Sequence, residues 1–143
     1  MQWLRAHAAV TRDLNADLVA EHGLTLNDYE VLLHLAKAPD GVVKPVELAS
    51  RILLTPSGIT RLLAGLERAG FVARKNCAAD KRVSYAELTD EGREKLRAAS
   101  GTHLAGIAAR FTNRFTRTEL ETLSTLLARL PCGERAGSDC TVD

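Results

Sequence analysis

Apolar residues recur at helical spacing along most of the chain. The pattern predicts a first helix over residues 2–22, which Gly23 would end in a left-handed conformation. A second helix is predicted to begin at Asn27, whose side chain would cap it in a capping box with Glu30. The residues on the apolar sides of these helices are Leu4, Thr11, Leu14 and Leu18, and then Val31, Leu32 and Leu35. The turn-forming segment 38–41 separates both helices from the rest of the chain.

Two shorter helices are predicted next, joined by a tight connector over residues 53–55. Pro45 suits the first position of the earlier helix, and Thr55 can cap the later helix ahead of Pro56. The residues that would face inward from the earlier helix are Val46, Ala49 and Ile52. The later helix would end at Gly70, so the pair has the organisation of a helix-turn-helix.

The pattern then changes to one typical of strands. Residues 71–77 and 82–88 predict a β-hairpin whose connecting segment is short and polar. Thr89 can cap a long helix that runs to about Asn113, and acidic residues in its first turn suit the positive end of the helix dipole.

A last helix is predicted after a second capping box, formed by Thr116 and Glu119. Its apolar side carries five leucines, namely Leu120, Leu123, Leu126, Leu127 and Leu130. Pro131 would end it, and the polar segment 132–143 is expected to be a flexible tail. The whole order predicts a mainly α fold with a small β-hairpin wing, which is a winged helix-turn-helix with flanking dimerisation helices.

The helix over residues 55–70 has two unlike faces. Its apolar stripe consists of Ile59, Leu62, Leu63 and Leu66. The opposite face of the first two turns carries small or hydrogen-bonding residues and one arginine, whereas a solvated helix usually exposes long charged side chains. A recognition helix in the DNA major groove needs such a face. Gly58 would allow close approach, Ser57 and Thr60 could bond to bases or phosphates, and Arg61 could make a bidentate contact with guanine.

Charge is distributed unevenly along the chain. The formal net charge is +5 over residues 44–82, between −3 over residues 1–43 and −1 over residues 83–143, although the whole chain carries only +1. A basic middle segment favours a polyanionic partner such as double-stranded DNA. On charge alone, a solvated basic surface fits equally well.

The residues predicted to contact DNA lie on the recognition helix, at its cap and in the hairpin. They are Thr55, Ser57, Gly58, Thr60, Arg61, Arg68, Arg74, Lys81 and Arg82. Arg68 lies two turns along the helix and suits a backbone phosphate. At the hairpin tip, Lys81 and Arg82 would sit beside the duplex, and Asp80 would pair with a nearby arginine to hold the tip in shape.

The segment VELASRILLTPSGITRLLAGLERAGFVARKNCAADKRVSYAELTDEG resembles the core of MarR-family transcriptional regulators. The matching motifs are ELA before the turn, SGITRLLAGLERAGFV across the recognition helix, D-x-R in the wing and LTDEG at the start of the next helix. The resemblance implies that Arg82 is a minor-groove arginine with Asp80 as its wing partner. It also implies that Ser57, Thr60 and Arg61 face the major groove. The wing sequence CAADK has fewer prolines and basic residues than many relatives, which suggests a weaker grip on DNA.

The resemblance further implies a homodimer on a pseudo-palindromic operator, and repression that is relieved by a small phenolic or anionic effector. Residues 1–26 and 114–131 would be dimerisation helices, residues 27–89 the DNA-binding domain, and residues 90–113 a linking helix. The apolar sides of the first and last helices independently predict an interface, because the winged core is too small to cover both. Two-fold symmetry would then place half-sites about 10 bp apart.

The candidates for an effector pocket come from the first two helices. They are Trp3, His7, Tyr29 and Leu33, because aromatic residues beside a hydrogen-bonding group suit a planar organic anion. Packing of Trp3 and Tyr29 in a dimer core is an equally good interpretation.

No arrangement of residues predicts an enzyme, a metal site or a bound cofactor. The four histidines, which are His7, His22, His34 and His103, form no HExxH motif and pair with no cysteine at ligand spacing. Two other kinds of function stay open. Oxidation of Cys77 could disturb DNA contact, although a small strand residue is the simpler interpretation. Alternatively, the winged helix could bind a protein instead of DNA.

The remaining sequence features favour a cytoplasmic protein. No apolar run approaches the roughly 20 residues that span a bilayer, and the first residues lack the apolar region of a signal peptide. The three cysteines form no CxxC pair, so reduced thiols are expected.

Overall fold

The structure is a computed structural model that describes residues 1–39, 41–76 and 84–130. Its elements in chain order are α1 (Gln2–His22), α2 (Leu26–Lys37), β1 (Val42–Val43), α3 (Pro45–Arg51), α4 (Pro56–Arg68), β2 (Val72–Asn76), β3 (Ser84–Leu88), α5 (Asp90–Arg110), a 3-10 turn (Thr112–Arg114) and α6 (Arg117–Leu127). This is the mainly α, winged helix-turn-helix fold that the sequence predicts. Elements α2 to β3 are called the winged unit below, and α1, α5 and α6 the outer helices. Within the described ranges, no helix is long and apolar enough to cross a membrane.

The predicted bounds of α1 are confirmed, but the predicted start of α2 is wrong. Gly23 ends α1 with a φ of 64°. Helix α2 is capped by Thr25, whose Oγ1 accepts a hydrogen bond from Asp28 N at 3.1 Å, while Asp28 Oδ2 accepts one from Thr25 N at 2.8 Å. Leu26 therefore lies in the first turn, where its N–H donates to Asn15 Oδ1 at 2.9 Å. That tertiary bond to α1 favours Thr25 over Asn27 as the cap.

Helix α3 begins at Pro45 as predicted, but its buried side differs from the prediction. Val46 is 68% exposed, and Leu48 is fully buried instead. The inward positions are Leu48, Ala49 and Ile52, and Val46 lies on the other side of the helix. The connector to α4 lacks a glycine, and Leu53 adopts the left-handed conformation there with a φ of 56°.

The hairpin is confirmed, and it belongs to a three-stranded antiparallel sheet of order β1-β3-β2. Val72 pairs with Leu88, and Asn76 pairs with Ser84. The sequence analysis missed β1, in which Val43 pairs with Ala86, because two residues are too few to show strand periodicity. The predicted hairpin tip, residues 78–81, lies outside the described residues, as do Cys77, Arg82, Val83, Pro131 and the tail.

The two helices predicted after the hairpin are present, but each is shorter than predicted. Helix α5 ends at Arg110 instead of about Asn113, and the 3-10 turn follows. Thr116 and Glu119 form the predicted capping box at the start of α6. Hydrogen bonds from the backbone N–H and hydroxyl of Thr116 lower the pKa of the Glu119 carboxyl.

The hydrophobic core lies in the winged unit. Leu32, Leu35 and Leu48 are fully buried, and Leu18 from α1 and Leu96 from α5 extend the same cluster. Burial of these side chains is the main term that stabilises the unit.

Helices α1 and α5 also meet directly. They approach closely at Gly106, where an added Cβ would lie 2.7 Å from Leu14 Cδ2. Arg110 Nη1 makes an ion pair with Asp17 Oδ2 at 2.7 Å. The two helices are therefore fixed to each other beside the winged unit.

Candidate nucleic-acid interface

The start of α4 is held by its cap. Thr55 Oγ1 accepts a hydrogen bond from Gly58 N at 3.1 Å and lies 3.2 Å from Ser57 Oγ. A Cβ on Gly58 would lie 3.2 Å from Thr55 Oγ1, which is tight. The cap thus gives a reason for glycine at position 58 besides the predicted close approach of DNA.

The two faces of α4 are separated as predicted. Ile59, Leu63 and Leu66 are buried against the core, and they fix the orientation of the helix. The exposed side of its first two turns carries Ser57, Thr60 and Arg61. Thr60 Oγ1 donates to Pro56 O at 2.8 Å, so its hydroxyl retains acceptor capacity and its methyl group remains available for apolar contact.

Arg68 lies at the end of α4 and is exposed. Its Nε donates to Ala64 O of the same helix at 3.2 Å, which leaves the terminal guanidinium nitrogens available. This geometry suits the predicted contact to a phosphate better than a contact to a base edge.

Two ion pairs hold the described part of the wing. Arg74 Nε donates to Glu67 Oε1 at 3.1 Å and so joins β2 to α4. Lys75 Nζ donates to Glu87 Oε1 at 3.1 Å and joins β2 to β3. Arg74 was predicted as a DNA contact, and its guanidinium is engaged within the chain. Asp80, Lys81, Arg82 and Cys77 lie outside the described residues.

The four effector-pocket candidates contact different neighbours. The rings of Trp3 and His7 lie 5.9 Å apart near the start of α1. Tyr29 is buried, its ring lies 4.4 Å from that of His103, and its hydroxyl donates to Ser100 Oγ at 3.3 Å. Leu33 is half-buried and packs against the core.

A groove lies elsewhere in the described chain, between α1 and α5. Its volume is about 460 Å³, and it is lined by Asp17, Glu21, Gly101, Thr102, Ala105, Gly106 and Arg110. Thr102 Oγ1 donates to Glu21 Oε2 at 2.6 Å and lies 2.8 Å from His22 Nε2. None of the four predicted pocket residues lines this groove in the single chain.

Comparisons with known proteins agree with this geometry. A profile of the MarR family matches residues 22–83. The HTH-type transcriptional repressor YetL of Bacillus subtilis is 39% identical over 94 residues, which are 66% of this chain and 56% of that repressor. The crystal structure of Sco3205, a MarR family transcriptional regulator from Streptomyces coelicolor in complex with DNA, has a TM-score of 0.84 and 29% identity, covering 89% of this chain and 79% of that one. Over residues 22–83, and in its fold, the chain is therefore similar to MarR-family regulators.

A second similar structure carries a small molecule. CouR from Rhodococcus jostii RHA1, bound to p-coumaroyl-CoA, has a TM-score of 0.78 and 26% identity, covering 93% of this chain and 91% of that one. The relatives and similar structures named here are regulators of transcription, which agrees with the prediction that the chain is not an enzyme.

Three residues that organise the wing were not identified from the sequence. They are Glu67, Glu87 and Gly92. The opposite charges of Glu67 and Arg74 were a sequence signal for their ion pair. Whether the two side chains meet, however, depends on the direction in which the chain runs from the end of α4 into β2. Gly92 packs its Cα against the carbonyl oxygen of Phe71, where an added Cβ would overlap that atom.

Proposed function

We propose that this chain is a transcriptional regulator whose helix α4 enters the major groove of double-stranded DNA. The observation that carries the proposal is the exposed face of the first two turns of α4, with Ser57, Thr60 and Arg61 together on a helix anchored by Ile59 and Leu63. An arginine on such a face can make a bidentate contact with guanine. The complex of Sco3205 with DNA supports the same partner for this chain.

Phosphate contacts complete the proposed interface. Thr55 and Arg68 flank the base-reading face at the two ends of α4, and the positive end of the helix dipole favours a phosphate near Thr55. Lys81 and Arg82 are proposed to add contacts from the wing, with Asp80 as their support, on sequence grounds.

A homodimer is part of the proposal. None of the eleven described residues of α6 is buried in the single chain, although its sequence is amphipathic. Large exposed apolar side chains also occur on the other outer helices, including Leu4 at 63% and Leu104 at 63%. Apolar surface of this extent marks an interface, so residues 1–26 and 114–131 are proposed to pair two chains.

Repression and its release by a small molecule are also proposed. YetL is named a repressor, and CouR binds p-coumaroyl-CoA, which is both aromatic and anionic. An effector of that chemistry, bound near Trp3, His7, Tyr29 or Leu33 in the dimer, is therefore the proposal for this chain. A cytoplasmic location follows from access to DNA.

Fluorescence anisotropy tests the proposed function. The purified protein is titrated into the duplex from upstream of its own gene and into a scrambled duplex of equal composition, at several salt concentrations. Preferential binding to the upstream duplex, with an affinity that falls steeply with salt, is expected because bound counterions are released. Failure to bind either duplex would contradict the proposal and favour a protein partner for the winged helix.

A further inference from the structure

The wing extends away from a firmly bonded base. Thr89 Oγ1 donates to Gly70 O at 2.7 Å, and Thr89 N donates to Phe71 O at 3.2 Å. Phe71 N in turn donates to Leu66 O at 3.0 Å, which ties the first residue after the turn to α4. These bonds fix where β2 begins but not the direction of its outer end.

The outer half of the hairpin receives a contact from Lys44, whose Nζ lies 6.0 Å from the centre of the Tyr85 ring, but no further strand pairs with it in the described chain. Strand β1 pairs only with Glu87 and Ala86 of β3. The rungs between Lys75 and Tyr85 and between Asn76 and Ser84 therefore belong to a two-stranded ribbon. Such a ribbon is marginally stable alone and is twisted more strongly than a wider sheet.

The ion pair between Arg74 and Glu67 lies at the inner end of this ribbon, on the rung where Arg74 pairs with Ala86. Arg74 is the third residue after Phe71, so it lies about 10 Å along the extended strand from the base. Its Nε donates to Glu67 Oε1 on α4 at 3.1 Å, and the Glu67 side chain is only 29% exposed. Of the two ion pairs in the described wing, this one connects β2 to the recognition helix, whereas Lys75–Glu87 connects β2 to β3.

We propose that Glu67 and Arg74 are positioning residues, which hold the wing at the angle to α4 that lets both reach one duplex together. The inference rests on the proposed function and changes the predicted role of one residue. Arg74 serves DNA binding through Glu67, instead of contacting a phosphate itself.

The direction in which one substitution changes the affinity for DNA distinguishes a positioning role from a simple effect of charge. Glu67→Gln removes a negative charge from the module that faces a polyanion, so electrostatics alone would tighten binding. Loss of the Arg74–Glu67 ion pair weakens binding instead, because a wing that is no longer held to α4 must be ordered when DNA binds. We expect the dissociation constant for the upstream duplex to rise on the order of threefold to tenfold, since partly exposed ion pairs contribute modestly.

Glu87→Gln is the matched control. It also removes one carboxylate from a 3.1 Å ion pair in the same module, but that pair joins β2 to β3 and does not involve α4. Its dissociation constant is expected to stay equal to that of the wild type or to fall. Thermal unfolding of both variants is compared with the wild type to verify that the fold is kept.

A double-mutant cycle with Arg74→Gln completes the test. A positioning role predicts that Arg74→Gln weakens binding in the wild type, adds nothing in Glu67→Gln, and leaves the slope of affinity against salt unchanged. A direct phosphate contact predicts the same loss in both backgrounds and a slope smaller by about 0.9. That result, or tighter binding by Glu67→Gln, would overturn the inference. Failure of the wild type to bind DNA would overturn the proposed function and this inference with it, and is seen before any variant is made.

Discussion

The winged unit and the outer helices carry similar numbers of leucines but bury them differently. Leu32, Leu35 and Leu48 of the winged unit are fully buried, whereas Leu126 of α6 is 48% exposed and Leu104 of α5 is 63% exposed. An apolar side chain that a chain cannot bury alone is available for a second chain. The winged unit is thus stabilised by its own core, whereas the proposed homodimer would cover the apolar sides of the outer helices.

The largest effect on stability is expected at the junction of the two regions, where Gly92 of α5 lies against Phe71 of the winged unit. Gly92→Ala would place a methyl group on the Phe71 carbonyl oxygen and against Leu88, neither of which can move freely. The free energy of unfolding should fall by about 3 kcal/mol, measured by urea denaturation. Gly65→Ala is the control, because its Cβ would meet nothing within 4 Å and a helix-interior alanine is worth up to about 1 kcal/mol. Equal stability of Gly92→Ala and the wild type would contradict the observed packing.

A charged side chain on the apolar side of α6 should weaken the proposed dimer without unfolding the winged unit or the outer helices. Leu126→Glu is expected to weaken the dimer about 100-fold, because about 3 kcal/mol of apolar burial and charge desolvation is lost. Sedimentation equilibrium measures the change, and circular dichroism should show an unchanged helix content. Val46→Glu, at a position 68% exposed on the winged unit, should leave the dimer intact. A dimer of unchanged affinity in Leu126→Glu would exclude α6 as the interface.

The smallest effect is expected where α5 contacts the winged unit through His103. Burial lowers the pKa of His103, whose buried Nδ1 has no hydrogen-bond partner within the described chain. The unfolded chain therefore takes up this proton more readily, and the free energy of unfolding should fall as the pH drops below about 6.5.

His103→Phe keeps an aromatic ring beside Tyr29 and removes the titration. Its loss of stability between pH 7.5 and pH 5.5 should be smaller than that of the wild type, by less than about 1 kcal/mol. His34→Gln is a useful comparison, because the pKa of His34 is also lowered, by burial and by the charges of Arg51 and Lys37. An unchanged pH dependence in His103→Phe would show that this histidine does not couple protonation to folding.

Local signals in the sequence were sufficient for most of the fold. The caps at Thr55, Thr89 and Thr116 depend on residues three positions away, and all three form as predicted. The cap of α2 was misassigned because two capping motifs overlap, and the bond from Leu26 N to Asn15 selects between them. That bond joins two helices, so the local sequence does not contain it.

The parts that failed or were missed depend on tertiary contacts. Strand β1 forms only because β3 offers Ala86 and Glu87 as partners. The role of Glu67 depends on the direction in which β2 leaves Gly70, which no residue pattern encodes. The exposed position of Arg61 on α4 was predictable from sequence, because it is the long charged side chain on an otherwise small and polar helical face.

The preference of the protein for one DNA sequence over another tests the account most directly. The ratio of dissociation constants for scrambled and upstream duplexes is measured for the wild type and for Arg61→Ala at one salt concentration. The account predicts that the ratio is large for the wild type and falls in Arg61→Ala by a factor equivalent to about 1–3 kcal/mol, because a base contact is lost. A ratio that is the same in both proteins would contradict base recognition by α4.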